Sequence, residues 1–230
     1  MLEKIDLNKT VDKKSYRRVM DEASRKLGLL QRECKAAGIP VMIVFEGMGA
    51  AGKGVQINRL IQSLDPRGFD VYACDRPTED EQMRPFLWRY WTKTPANGRI
   101  AIFDRSWYRS VQVDRFDGLT TEDKLEGAYQ DILSFEKQLS DGGTVIIKFF
   151  LNVSKAEQKK RFMERLNDES KNWKFSSADV KERQYWDDYM KAYSDVLTET
   201  STEIAPWYVI PADNKWFMRY AVGQIICERM

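Results

Sequence analysis

Five short apolar-rich runs punctuate the chain at residues 41–45, 70–74, 100–103, 144–151 and 206–210. The first is continuous, as expected of a strand buried on both faces. Between them the apolar residues fall at helical spacing. Residues 12–37 carry Tyr16, Val19, Ala23, Leu27 and Leu30 on one face and end at Gly38-Ile39-Pro40. Further helices are predicted over 55–64, 79–91, 121–139, 154–166, 178–197 and 214–228, with Thr120 or Thr121 as a cap for the fourth of the seven. Turns fall at 65–68, 95–98 and 141–143, and 167–177 is a polar stretch. Strands alternating with helices predict an α/β fold, a parallel sheet covered on both faces, in one domain over 1–230. In such folds ligands bind at the carboxyl ends of the strands.

Composition narrows the chemistry. The chain has 230 residues and no histidine, which excludes Ser–His and Cys–His nucleophiles, histidine metal sites and phosphohistidine. Catalysis is left to carboxylates, Lys, Arg and a metal ion, an inventory suited to phosphoryl transfer. A net charge of +2 argues against coating nucleic acid. Cys34, Cys74 and Cys227 have no zinc spacing and read as buried, reduced thiols. No signal-peptide pattern opens the chain and no apolar run suffices to span a membrane, so the expectation is a cytoplasmic protein without a membrane partner. Trp88, Trp91, Trp107, Trp186 and Trp207, with Met83 and Met190, are expected to pack rather than bind.

Between the first strand and its helix, Gly47-Met48-Gly49-Ala50-Ala51-Gly52-Lys53 matches G-x-x-x-x-G-K. Small residues let successive backbone N–H groups turn toward phosphate oxygens, Lys53 adds a charge, and the next helix offers its dipole. Gly54 replaces the Ser or Thr that ordinarily helps hold Mg²⁺. After the third strand, Asp104 is placed to hold Mg²⁺ and Arg105 to stabilise the transferring group. Glu46 and Asp75 also sit at strand ends. Pro77-Thr78, after the second strand, faces the expected nucleotide side by topology, where helix capping by Thr78 is an equal reading.

Several motifs together resemble the polyphosphate kinase 2 family: Phe45-Glu46-Gly47, Ala50-Ala51-Gly52-Lys53-Gly54, Leu64-Asp65-Pro66-Arg67-Gly68 and Phe103-Asp104-Arg105-Ser106-Trp107-Tyr108. Val153-Ser154-Lys155, Glu157-Gln158, Arg161-Phe162, Trp173-Lys174, Trp186-Asp187-Asp188-Tyr189 and Ala205-Pro206-Trp207-Tyr208-Val209 extend it over nearly the whole chain. The likeness is closest to the branch acting on AMP or ADP, including tandem two-domain members. It implies a P-loop kinase fold like that of thymidylate kinase, with a helical lid over about 154–178. It further implies Mg²⁺-dependent, reversible phosphoryl transfer between inorganic polyphosphate and AMP, ADP or ATP, in a homo-oligomer. By that resemblance Lys53 binds phosphate, Asp104 holds Mg²⁺, Arg105 contacts the transferring phosphoryl, Arg161 and Arg165 are lid arginines with Lys174 further along, and Asp75 and Arg76 are candidates to touch the acceptor nucleotide. Glu46 is a further metal candidate by its place at a strand end.

Gly49 stands where the family usually has an aspartate that helps hold the metal. Two other readings therefore stay open: a polyphosphate-binding half of a tandem enzyme, weakened in catalysis, and an ATP-dependent nucleotide kinase of the same fold. The lid is basic, with Lys155, Lys159, Lys160, Arg161, Arg165, Lys171 and Lys174 close together. Arg161 and Arg165 share a helix face, as a polyanion would require. A solvated face balanced by Glu157, Glu164, Asp168 and Glu169 would look the same in charge alone.

Overall fold

A computed structural model of the chain describes residues 2–116, 118 and 120–230, without the side chain of residue 3. Five parallel strands form one sheet in the order β2-β3-β1-β4-β5. They are β1 (Val41–Glu46), β2 (Phe69–Ala73), β3 (Ile100–Asp104), β4 (Val145–Asn152) and β5 (Trp207–Pro211). The central strand β1 is buried at every position, as its unbroken apolar run requires. Its register sets Phe45 beside Asp104 on one side and Phe149 on the other, so the carboxyl ends of β1, β3 and β4 meet at one edge of the sheet.

Helix α1 (Lys13–Ala37) starts where the Asp12 carboxylate accepts from the N–H groups of Lys14 and Ser15. It stops at Gly38, whose φ of 69° is left-handed and costs glycine little. It packs against the last helix, α10 (Lys215–Arg229), and α2 (Lys53–Ile61) follows the phosphate loop, two residues earlier than the apolar spacing predicts. The long helices α6 (Glu122–Asp141) and α9 (Trp186–Glu199) supply much of the remaining core.

Three helix expectations are corrected. The helix expected over 79–91 is two single turns, α3 (Glu79–Gln82) and α4 (Trp88–Trp91). Pro85 lies between them, lacking an N–H and disfavouring helix at the residue before it. The helix expected over 178–197 bends at Tyr185 (φ −100°, ψ 36°), separating α8 (Ser177–Gln184) from α9. A helix, α5 (Arg109–Phe116), occupies a stretch for which no element was predicted; its buried face includes Arg109, Gln112 and Asp114, which conceals it from an apolar-periodicity test. Met83, expected to pack, is 87% exposed, whereas Met190 does pack against the core. Trp107, Trp186 and Trp207 are buried, while Trp91 is partly exposed with its ring edge-on to Phe135. All three cysteines are buried and free.

The core encloses an ion pair. Lys148, in the middle of β4, has no exposed surface, and its ammonium donates to Glu136 Oε2 (2.7 Å), the Tyr108 hydroxyl (2.8 Å) and the Thr200 carbonyl (2.8 Å). Glu136 Oε1 also accepts from the Trp107 indole and the Tyr108 hydroxyl. Every donor of the ammonium thus has a partner, the condition under which a charge is tolerated inside a protein.

Candidate active site

The loop between β1 and α2 wraps tightly at the carboxyl edge of the sheet. Gly47 (φ 135°) and Gly52 (φ 116°) lie in the left-handed half of backbone space, and a Cβ at Gly47 would stand 2.5 Å from the Leu151 carbonyl oxygen. Ala50 takes φ 59° despite its Cβ, a strained choice of the sort that collects at functional sites. Among the described residues the backbone N–H groups of Ala50, Gly52, Lys53 and Gly54 make no hydrogen bond, so they present donors at the α2 N-terminus. The Lys53 ammonium lies under the loop and donates to the carbonyls of Gly47 (2.7 Å) and Met48 (3.2 Å). Burial, and then neighbouring Arg105, push its pKa down, while Asp104, Glu182 and Glu46 pull the other way.

Asp104 ends β3 beside the loop; a Cβ on Gly54 would lie 3.8 Å from its Oδ2. Arg105 follows with φ 62°, and its N–H donates to the Phe45 carbonyl at 3.0 Å, which fixes the turn that carries its side chain to the loop. Burial opposes the charge on Arg105, but Tyr193, Glu182, Glu46 and Asp104 around it hold its pKa above the ordinary value. Glu46 is 2% exposed and accepts from the Ser106 hydroxyl at 2.8 Å. Burial raises its pKa, with Arg105 the largest opposing influence.

The segment expected to form the lid, about residues 154–178, holds α7 (Lys155–Leu166) and a 3-10 turn at Asn172–Lys174 and leads into α8. Arg161 is buried to 6% exposure and fully engaged. It donates to the carbonyls of Ala50 and Ala51 in the loop, to those of Ala212 and Asp213 after β5, and to Glu157. Arg165 and Lys174 stand together away from these contacts; Arg165 donates to the Lys174 carbonyl at 3.2 Å, and Lys174 is exposed. The structure therefore brings Glu46, the segment from Gly47 to Gly54, Asp104, Arg105 and Arg161 around one loop, and sets Arg165 and Lys174 on the outer lid.

On the nucleotide side, Thr78 caps α3. Its hydroxyl accepts from the Glu81 N–H while Glu81 accepts from the Thr78 N–H, so both sides of a capping box are made. Asp75 and Arg76 are exposed, and the Asp75 carbonyl accepts from Arg89 at 3.0 Å. A cavity of about 230 Å³ opens next to them, lined by Glu81, Phe86, Arg89, Ser110 and Asp114 among others. Asp75, Arg76 and Thr78 do not line it.

Two site residues, Glu182 and Asp179, went unsingled in the sequence, and Gln158 appeared only within a family motif with no role. Glu182 of α8 is 5% exposed, and its Oε1 accepts from the Gly49 N–H at 2.5 Å and from Gln158 Nε2 at 3.1 Å. Its other oxygen faces Arg105 at 4.0 Å. Gln158, wholly buried, donates to the Gly49 carbonyl as well. Asp179 fills the volume beside Gly49: a Cβ there would meet its Oδ1 at 2.5 Å. Glu-Arg-Gln on a polar helix gives no signal of these contacts, which depend on how the lid folds back over the loop.

A parallel sheet, a glycine-rich turn into a helix, a lysine beneath it and a carboxylate at the next strand end define a P-loop phosphotransferase. Residues 10–230 match the model of the family described as "Polyphosphate kinase 2 (PPK2)". The chain belongs to this family. It is 40% identical to an ADP-polyphosphate phosphotransferase of Rhodopseudomonas palustris, over 99% of this chain and 86% of that one. It is 38% identical to a polyphosphate:AMP phosphotransferase of Pseudomonas syringae, covering all of this chain but 46% of that relative, so it spans about half its length. The crystal structure of polyphosphate kinase 2 from Arthrobacter aurescens superposes with a TM-score of 0.95 at 39% identity, over 100% of this chain and 84% of that one. Among the described residues, no helix is long and apolar enough to cross a membrane.

Proposed function

We propose that this site transfers a phosphoryl group between inorganic polyphosphate and AMP or ADP, reversibly. The class of reaction follows from the family: the chain is a polyphosphate-dependent nucleotide kinase. The observation that carries the residue-level reading is the convergence of Lys53, Arg105 and the unbonded N–H groups of Ala50, Gly52, Lys53 and Gly54 at one loop. Such donors bind phosphate oxygens and stabilise charge on the group in flight, which is most of what phosphoryl transfer asks of a protein. An acceptor phosphate attacks in line and no covalent enzyme intermediate is needed. Arg165 and Lys174, on the outer lid, meet phosphates further along the chain. Asp75 and Arg76 lie beside the cavity that would receive the acceptor nucleotide.

The family's chemistry uses a divalent metal, and Mg²⁺ is part of the proposal. Among the described residues no cluster of three or more carboxylates stands ready to hold it. That fits an ion held by one or two carboxylates and by the substrate's own phosphates. Asp104 is the carboxylate available for this. Glu46 fits less well, since it is already bonded by Ser106 and its burial favours the neutral form. When bound, the ion neutralises charge on the phosphates. The homo-oligomer implied by the family resemblance belongs to the same proposal and is read by light scattering.

The test is nucleotide formation from AMP, and separately ADP, with long-chain polyphosphate and Mg²⁺. Turnover lost in Lys53→Ala and Asp104→Asn supports the assignment. Tight polyphosphate binding without turnover in the unaltered chain would favour the binding-half reading, and ATP outcompeting polyphosphate as donor would favour an ATP-dependent kinase.

A further inference from the structure

In α8 a single residue is buried, and it is the carboxylate of Glu182. Helices ordinarily hold their place with apolar side chains. Within α8 itself the apolar Val180 is 53% exposed, and of the residues leading into it Trp173 is 74% exposed while Phe175 alone packs, its ring edge-on to Phe162. The helix is anchored by polar contacts instead. Glu182 Oε1 takes the Gly49 N–H and Gln158, and its Oε2 faces Arg105, while Arg183 donates to the Lys155 carbonyl at 2.6 Å.

The partners of Glu182 are the donors an anionic substrate needs. A backbone N–H of the phosphate loop and the arginine beside it are bridged by one carboxylate, as two oxygens of a phosphate would bridge them. Two anions cannot share these donors, because the second would stand within a few ångströms of the first in a water-poor cleft. Gly49 completes the arrangement. It lacks a side chain at the one place where Asp179 and Glu182 approach, and a Cβ there would lie 2.5 Å from the former and 3.2 Å from the latter.

We propose that Glu182 is an internal occupant of the phosphate loop, which an incoming polyphosphate displaces, so that α8 acts as a latch opposing polyphosphate binding. The proposal rests on the loop being the polyphosphate site. Glu182 is a positioning residue in the reaction: it touches the loop and Arg105, and sets how much of the polyanion's binding energy is spent on opening the lid.

The test is calorimetric titration of the full chain with tripolyphosphate, alongside hydrogen exchange at the loop and at α8. Glu182→Ala should bind tripolyphosphate about tenfold or more tightly than the unaltered chain, the scale of one lost charge-assisted bond. Glu182→Gln, which keeps shape and acceptor, should show a smaller gain and guards against misfolding of the first variant. In both, the KM for polyphosphate should fall while that for the nucleotide stays, a split that loss of general stability would not produce. Tripolyphosphate should also speed exchange in α8 of the unaltered chain. Affinity unchanged or weakened in both variants, with the unaltered chain binding, would overturn the latch and leave the site reading intact. Lys53→Ala separates the two: if it binds as well as the unaltered chain, the loop is not the polyphosphate site and both fall.

Discussion

The guanidinium of Arg161 donates to the carbonyl oxygen of Ala51 at 3.0 Å, and the same nitrogen reaches Ala50 at the same distance. A peptide plane whose C=O is drawn outward turns neighbouring N–H groups inward. Arg161 thus braces the phosphate loop from behind, joining it to the Ala212-Asp213 turn through its other nitrogen. This differs from a lid arginine reaching into solvent for a polyanion, although charge and spacing in the sequence fit both.

Arg161→Ala should therefore lower stability by about 2–5 kcal/mol, since it strips several buried carbonyls of their donor. Arg161→Lys should recover little, because a lysine offers no planar fork to span carbonyls from two loops. Melting temperature and the KM for polyphosphate should move together in both variants. A lysine variant with the unaltered melting temperature but a depressed kcat would instead indicate direct contact with the reacting phosphates.

The Lys148–Glu136 pair makes a separate prediction about the core. Removing one partner, as in Lys148→Met, leaves a wholly buried carboxylate facing Trp107 and Tyr108 without its cation and should cost about 3–5 kcal/mol. Replacing both, Lys148→Met with Glu136→Leu, should recover only part of that loss: the pair's attraction does little more than offset its own desolvation, but the Trp107 indole and the Thr200 carbonyl lose their buried partners. Urea unfolding of the two singles and the double measures the coupling; strict additivity would contradict the network drawn from the contacts.

The strands and the phosphate loop were legible because their signals are local. An unbroken apolar run such as 41–45 admits few readings, and glycines at Gly47 and Gly52 are needed wherever backbone must turn with positive φ. Asp104 and Arg105 were singled out because they follow the third apolar run and stand in a family motif, and the β1–β3 register then sets Asp104 beside Phe45. Glu182 and Gln158 were not legible: a polar residue on a polar helix reads the same whether it meets water or a loop 109–133 positions away in sequence. Helix α5 escaped for a related reason, most of its buried positions being polar, with Arg109 paired to Asp114 at 2.9 Å. Lys148 carries the opposite lesson, since a lone lysine in an apolar strand gave no hint that Glu136 and Tyr108 would be waiting for it.

Gly49→Asp looks from sequence like a restoration of the family's missing carboxylate. The geometry predicts the reverse. With Asp179 Oδ1 2.5 Å from the new Cβ and a further negative charge added, the Asp179 carboxylate must turn aside from its bond with the Ser176 N–H, or the loop or α8 must shift. The expected cost is about 1–3 kcal/mol, with faster hydrogen exchange in α8 and no gain in turnover. Combining it with Asp179→Ala should relieve most of the destabilisation. A single variant that melts normally and works faster would show that the carboxylates of α8 yield more easily than their packing indicates.

Gly54 offers the contrasting case. A Cβ there meets nothing nearer than Asp104 Oδ2 at 3.8 Å, and its backbone lies in the first turn of α2 without positive φ. Gly54→Ser should fold at least as stably as the parent, since serine in a helix loses less backbone entropy than glycine by some tenths of a kcal/mol. It also returns a hydroxyl to the position where P-loop enzymes hold Mg²⁺, directly beside the one carboxylate available for the ion. The Mg²⁺ concentration for half-maximal phosphoryl transfer should fall a few-fold, roughly the value of one added oxygen ligand hydrogen-bonded by its surroundings. An unchanged Mg²⁺ dependence in a stable Gly54→Ser chain would place the ion away from the Gly54–Asp104 edge, held by the substrate phosphates alone.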